Sequence, residues 1–451
     1  MHNIITMEVL GSVSENGFSL DELVFRTKEL FEREGLSGFV SLILQLADER
    51  ICMNMVNGKI NHNGRSCCSH PQYEHHDQLY RQFRTSVGTV MIRWHRLKCT
   101  RCGKSVIPLR EFLGLERYQS KTSELEKLVT EVVSEQSYRR SSNHLQSIGS
   151  IPVPRSTAHR WVVQSECDQI DVGTETFELL LADGTGYKRR LNPESGMNNR
   201  GELRLALGVD KSGSVVPLGA FSGRSWQEIS SIIKGQRSSG ELVAEMLVSD
   251  GERGLVQSLA GLCGDHQRSH WHLIRDLNHT MWQARADKTQ RRGVQKELSA
   301  IIGIEIPRED FEQVRDEDKK ALEQAVAVAE MDVGKLIGKL LDKGYNMAAD
   351  YLIRAKKSMF GYVRRWLKTG IVTPRVSSMI ERMMREITRR LKRMAFGWSE
   401  EGAAKMARII IKRFTSVDQW EKYWRDRLRI QDNVMLVLMN IRPQNPQPLG
   451  R

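Results

Sequence analysis

The chain has 451 residues, with 68 Lys and Arg against 55 Asp and Glu, a formal net charge of +13 and a pI near 9.4. At roughly 100–200 residues per domain this allows several domains, and 40% apolar with 27% charged residues excludes a disordered or fibrous chain. No apolar run approaches the ~18 residues of a membrane span, the opening residues lack a secretory pattern, and an odd count of 7 cysteines argues for a reducing compartment.

In chain order, residues 1–60 read as a helical module. Ser19 and Glu22 form a capping-box pair ahead of Leu23, Phe25, Leu30 and Phe31, and a second helix carries Phe39, Val40, Leu42, Ile43 and Leu46. Such a module serves packing or self-association. Residues 61–115 change to short strands and turns. Cys67-x-x-His70 and Cys99-x-x-Cys102 flank a hairpin of residues 80–85 and 89–98 about Gly88. Two ligand pairs, each presented by a tight turn, suit the four tetrahedral N/S positions of Zn²⁺, which is the layout of a zinc ribbon with a structural ion. Cys68, His75 and His76 leave the first pair open, since any of them can replace Cys67 or His70.

Residues 116–168 return to helix. A helix over 137–148, a turn at Gly149, and a second helix opening at Pro154 read as a helix-turn-helix. Arg155, Ser156, Thr157, His159 and Arg160 face outward as DNA contacts, with Ala158, Trp161 and Val162 left for packing.

A strand-like block follows at 177–182, 203–209, 215–221 and 246–249, with a hairpin signal at Asp210–Gly213 and a helix over 226–236. Hydrophobic residues on both faces imply strands internal to a covered sheet. The first strand ends at Asp183-Gly184 and the last at Asp250-Gly251, so two carboxylates converge where strands end. After Val256 the pattern is helical almost to the end, interrupted at Pro307 and Thr373-Pro374, and Pro443, Pro446 and Pro448 mark a loose tail.

The positive charge is concentrated. Residues 354–413 hold 17 Lys or Arg against only four acids, a surplus equal to that of the whole chain. Within it Ile380, Met383, Met384, Ile387 and Leu391 recur at helical spacing. Arg382, Arg385, Arg389, Arg390, Lys392 and Arg393 surround that stripe as candidate phosphate contacts, and Glu381 begins it.

These segments, in this order, resemble the DDE transposases of bacterial insertion sequences, particularly the mutator-like branch. The likeness is carried by LADGTGYK (181–188), VSDGERGL (248–255), HQRSHWHLIRDL (266–277), SSMIERMMREITRRLKRMAFGW (377–398) and SEEGAAKMARII (399–410). The resemblance implies an α+β multidomain chain whose ribonuclease H-like core, residues 169–285 and 373–415, is interrupted by an all-helical insertion at 286–372 and followed by a helix and tail at 416–451. It implies Asp183, Asp250 and Glu381 as a catalytic triad holding two Mg²⁺ (or Mn²⁺) ions. The spacings fit, with 67 residues between the aspartates and 131 from Asp250 to Glu381, enough for the insertion. The branch often carries Cys-x-x-His after the second aspartate. Here Ser269 stands in the cysteine position, so a thiolate role is excluded, while His272 matches as a structural or DNA-contacting residue. The expected activity is cleavage at the ends of an element and strand transfer into target DNA, by a homodimer or larger assembly on double-stranded DNA in the bacterial cytoplasm. Rival readings are a non-catalytic DNA-binding regulator, decayed or domesticated, and another nuclease of the same core fold.

Overall fold

A computed structural model describes residues 19–31, 35–59, 67–190, 199–236, 242–394 and 396–429. The proline-bearing tail lies outside them. The chain is α+β, with a three-stranded and a five-stranded sheet, and it divides into two compact units. The first comprises residues 1–133, 138–162 and 421–451; the second comprises 134–137 and 163–420. The described residues of the three modules read at the start of the sequence thus fall largely in one unit, together with residues 421–429.

The first unit opens with α1 (Leu20–Leu30) and α2 (Leu36–Val56). Ser19 caps α1 by accepting a bond from the Glu22 N–H at 3.0 Å, yet Leu23, Phe25 and Leu30 remain exposed. Next come β1 (Tyr73–Thr85), β2 (Gly88–Cys99) and β3 (Ser105–Val106), an antiparallel sheet in the order β1-β2-β3. Thr85 pairs with Gly88 at the hairpin turn, where a φ of +107° favours glycine. Alternate residues Val90, Ile92 and Trp94 of β2 are buried with Phe83 and Leu109, and α2 covers them. After α3 (Pro108–Phe112), three helices follow: α4 (Ser123–Glu135), α5 (Tyr138–Gly149) and α6 (Arg155–Gln164). The turn between α5 and α6 buries Ile151 and Val153, and the Ser142 hydroxyl donates to the Val153 carbonyl at 2.6 Å.

The second unit is built on β4 (Phe177–Lys188), β5 (Arg200–Val209), β6 (Val215–Ser222), α7 (Trp226–Gly235), β7 (Ala244–Ser249), α8 (Arg253–Leu259) and β8 (Cys263–Arg268). The sheet order is β6-β5-β4-β7-β8. β4 runs antiparallel to β5 and parallel to β7, which is itself parallel to β8. Two expectations change here. Asp183 does not end its strand, because β4 continues to Lys188 opposite β5. And β8, a polar segment expected as helix, is an edge strand, its backbone held by β7 where its side chains give no alternation.

Helices α9 (His270–Gln283), α10 (Lys288–Ile302), α11 (Asp316–Asp342), α12 (Asn346–Ala355) and α13 (Gly361–Thr369) form a bundle with its own core. Leu273, Leu277 and Met281 of α9 belong to that core, so the bundle starts before the expected boundary at residue 286. The chain then returns to the sheet with α14 (Ser378–Leu391) against β4 and α15 (Glu400–Thr415) against β6, ending in α16 (Val417–Leu428). Arg408 fixes α15 through a two-pronged bond to Asp168 at 2.9 and 2.7 Å. Among the described residues no helix is long and apolar enough to cross a membrane.

Candidate functional sites: a carboxylate cleft and a cysteine cluster

Three elements from distant parts of the chain bring the carboxylates together. Asp183 lies within β4, Asp250 directly follows the neighbouring parallel strand β7, and Glu381 sits in the first turn of α14, which packs on β4. Asp183 and Asp250 line one cleft of about 400 Å³ with Glu202, Glu252, Arg200 and three glycines. Their proximity has an electrostatic cost. Burial, the charge of Asp250 and then that of Glu381 push Asp183 up to about 7, against a bond from the Gly184 N–H at 2.7 Å that favours the ionised form. The three do not form a group whose ligand atoms all lie within 4.8 Å of one another.

Glu381 is held from behind. The Ser377 hydroxyl lies 3.0 Å from Glu381 Oε1 and 3.2 Å from the Ser269 hydroxyl, which is fully buried. Ser377 is the donor in both contacts, and its one proton serves either the Glu381 carboxylate or the Ser269 hydroxyl at a time. His272 Nε2 lies 3.5 Å from the same oxygen and is buried, and loss of hydration holds its ring below the ordinary imidazole value. Of the two roles expected for His272, its burial fits orienting the acid and not touching DNA. Ser269 is no thiolate, but it completes this chain of bonds.

Gly251 explains the glycine after the second aspartate. Its φ is +74°, and a Cβ there would lie 1.4 Å from Arg268 Nη1. Arg268 is 8% exposed, rests over Tyr351 at 5.1 Å and bonds its hydroxyl at 2.8 Å. Sequence reasoning missed this residue, because nothing local marks an arginine at an edge strand's end.

The candidate DNA contacts divide. Arg155, Ser156, His159 and Arg160 are exposed on α6, Thr157 is half-buried, and Ala158, Trp161 and Val162 are buried as expected. On α14, Arg382 and Arg385 are exposed, as are Lys392 and Arg393 just beyond it. Arg389 pairs with Glu135 and Glu386. Arg390 departs from expectation: it is 2% exposed, with its guanidinium 4.6 Å from the ring centre of Trp398 and 3.2 Å from the Met394 sulfur. Its position on the apolar stripe side of the helix turns it inward, so it holds α14 down and does not reach a phosphate.

The second site, in the first unit, is a group of four cysteines, 67, 68, 99 and 102, whose sulfurs lie within 4.8 Å of one another and could hold a zinc ion. Cys68 and Cys99 are 3.8 Å apart and Cys67 and Cys68 are 4.0 Å apart. Tetrahedral Zn–S bonds of ~2.3 Å require sulfurs about 3.8 Å apart, so the donor set fits the ion. The expected ligand His70 is exposed and outside the group, and Cys68 takes its place. The bend at 67–70 leaves His70 facing solvent and turns Cys68 toward β2. Backbone bonds, that of Cys102 first, pull Cys99 down to about 6, so this thiol ionises most readily. Nearby, Asp48, Cys52 and His95 form a second close group. There Asp48 already accepts bonds from the His95 backbone N–H at 2.9 Å and from its ring at 2.6 Å, a polar tie between α2 and β2.

No family model matches the chain, and no curated protein aligns with it significantly.

Proposed function

We propose that this chain is a DNA transposase that binds the ends of an insertion sequence, cleaves there, and joins the freed 3′ end to target DNA through Asp183, Asp250 and Glu381. The observation that carries the reading is the convergence of these three acids, 67 and 131 residues apart in sequence, beside the adjacent inner strands β4 and β7 of one sheet in a basic protein. Half-buried carboxylates this close raise one another's pKa, a cost that bound cations would offset. The sheet order and strand directions support a ribonuclease H-like core, with Asp183 on its first strand and Asp250 after its fourth. The bundle formed by α9 to α13 fills the long gap before Glu381, as the mutator-like branch leads one to expect. The hairpin with four cysteines supports a zinc ribbon, and α5 with α6 supports a helix-turn-helix for end recognition.

In this reading Asp183, Asp250 and Glu381 would together hold two Mg²⁺ (or Mn²⁺) ions; hard cations of this kind prefer carboxylate oxygens. Bound there, they supply activation of the attacking oxygen and stabilisation of the leaving one. The protein's own part is positional. Ser377 and His272 fix the Glu381 carboxylate, the Gly184 N–H fixes Asp183, and the exposed arginines of α14 hold backbone phosphates beside the reacting one. Pairing two element ends calls for at least a dimer, working on DNA in the cytoplasm.

The test is Mg²⁺-dependent cleavage of DNA carrying the element's ends. Glu381→Gln is expected to lower the rate by about a thousandfold or more, with duplex affinity within twofold of the parent. Unchanged cleavage in this variant refutes the assignment. Binding without cleavage in the parent protein favours the decayed regulator instead.

A further inference from the structure

Helix α9 carries a feature that the carboxylate chemistry does not use. One face is committed, with Leu273, Leu277 and Met281 in the bundle core. The opposite face presents Trp271, Arg275, His279 and Trp282, at spacings of four, four and three, which place them in one line along the helix. Trp271 is 52% exposed and Trp282 is 59% exposed. Two large indoles left in water on one stripe are unusual, because a tryptophan on a surface ordinarily gains by covering apolar neighbours. These are instead interleaved with cations and rings. The Arg275 guanidinium lies 4.8 Å from the Trp271 ring centre, and His279 stacks on Trp282 at 5.6 Å with 21° between the planes.

The line has a direction. At its start, Trp271 contacts the His272 ring at 4.8 Å, and His272 faces Glu381. Arg275 is near enough to Asp183 to favour its ionised form. At its far end, about 16 Å on at 1.5 Å per residue, Trp282 borders a cleft of about 660 Å³ lined by Arg285, Lys288 and Arg291. The acids along the way are already engaged. Asp276 pairs with Arg275 at 2.7 Å, and Asp287 caps α10 through the N–H groups of Thr289 and Gln290.

From this alternation the geometry points to a track for a single, unpaired DNA strand, running from the carboxylate cleft along α9 to the basic cleft at its end. A duplex hides its base faces, whereas an unpaired strand offers both faces for stacking and a backbone for the cations. The inference rests on the transposase reading for its substrate, and it adds that the strand next to the reacting phosphate is held unpaired on the protein.

The experiment uses the full chain in EDTA, so that no cleavage occurs, with a fluorescent oligo-dT strand and a random duplex of equal length as probes. Trp271→Ala with Trp282→Ala is expected to weaken single-strand binding by about tenfold or more, with duplex binding within twofold and the parent's sedimentation unchanged. Trp271→Phe with Trp282→Phe should recover most of the single-strand affinity, since a ring suffices. Parent-like binding of oligo-dT by the alanine variant overturns the proposal, as does an equal loss for both probes or a phenylalanine variant as weak as the alanine one. A change in oligomeric state with intact strand binding also overturns it, assigning the stripe to a second copy of the chain. Glu381→Gln should bind oligo-dT like the parent, so failure of the cleavage assignment and failure of the track are read separately.

Discussion

The cysteine group of the first unit, which could hold a zinc ion, and the three carboxylates of the second are assembled in opposite ways. The cysteines come from one bend and one strand end of a single hairpin, and their sulfurs already stand at the separation of ligands around one ion. The carboxylates come from a strand, a loop and a helix, stand wider apart, and bear a visible electrostatic cost in Asp183. A soft, closed set close in sequence can organise its own surroundings and so contributes to folding. A hard, open set must be held together by a fold that is stable without it, which leaves room for substrate.

Breaking the first site should have the largest effect. Cys99→Ser with Cys102→Ser removes half the ligand set, and structural zinc sites supply on the order of 10 kcal/mol of folding free energy. The expected outcome is loss of bound zinc, measured by elemental analysis, and rapid proteolysis within residues 67–106. His70→Ala should leave zinc content unchanged and Cys68→Ser should abolish it. The reverse pattern restores the Cys-x-x-His pairing and defeats the four-cysteine assignment.

How each site reads in the sequence follows from the same contrast. The hairpin was legible because both ligand pairs and the Gly88 turn are local signals, but which residue of 67–76 turns inward is a matter of how one bend packs, and spacing alone favoured His70 over Cys68. The strands bearing Asp183 and Asp250 were legible as apolar runs ending near Asp-Gly. Their pairing was not: β4 continues past Asp183 only because β5 lies alongside, and β8 is a strand only because β7 supplies its bonds. Arg390 shows the same limit in a helix, where charge predicted an outward side chain and Trp398 offered a better partner inside. The Ser269–Ser377 bond joins residues 108 positions apart, and no short motif encodes it.

The next effect tests the cost at the second site. Asp183 has a value of about 7 in the folded protein against 3.8 ordinarily. Between those values the folded chain binds a proton that the unfolded chain has lost, so metal-free stability falls as pH rises from about 4 to 7. Asp183→Asn should therefore be more stable than the parent at pH 8 in EDTA, by on the order of 2 kcal/mol. The advantage should shrink as pH falls through 7 and vanish only near pH 4, where the folded and unfolded parent are both protonated. Thermal melts at the two pH values check this. A variant less stable than the parent at pH 8 would mean that Asp183 is satisfied within the apoprotein, and that the contrast between a self-organising site and an imposed one is false.

The smallest effect separates the supports of Glu381 from one another. Ser377 bonds the carboxylate directly, whereas Ser269 reaches it only through Ser377. Ser377→Ala removes one hydrogen bond to a charged group, a loss of about 1.5 kcal/mol or roughly tenfold. It should appear as a higher Mg²⁺ concentration needed for half-maximal cleavage. Ser269→Ala leaves the bond to Glu381 in place and frees the Ser377 hydroxyl to rotate, so its effect should be about threefold, near the weak end for a neutral bond. No effect from either substitution would mean that neither hydroxyl orients the carboxylate, and that α14 alone positions the acid. A larger effect for Ser269 would point instead to the entry of α9, where its backbone N–H bonds the Ser249 carbonyl at 2.8 Å. In that case Ser269 would act on Asp250, through the end of β7, and not on Glu381.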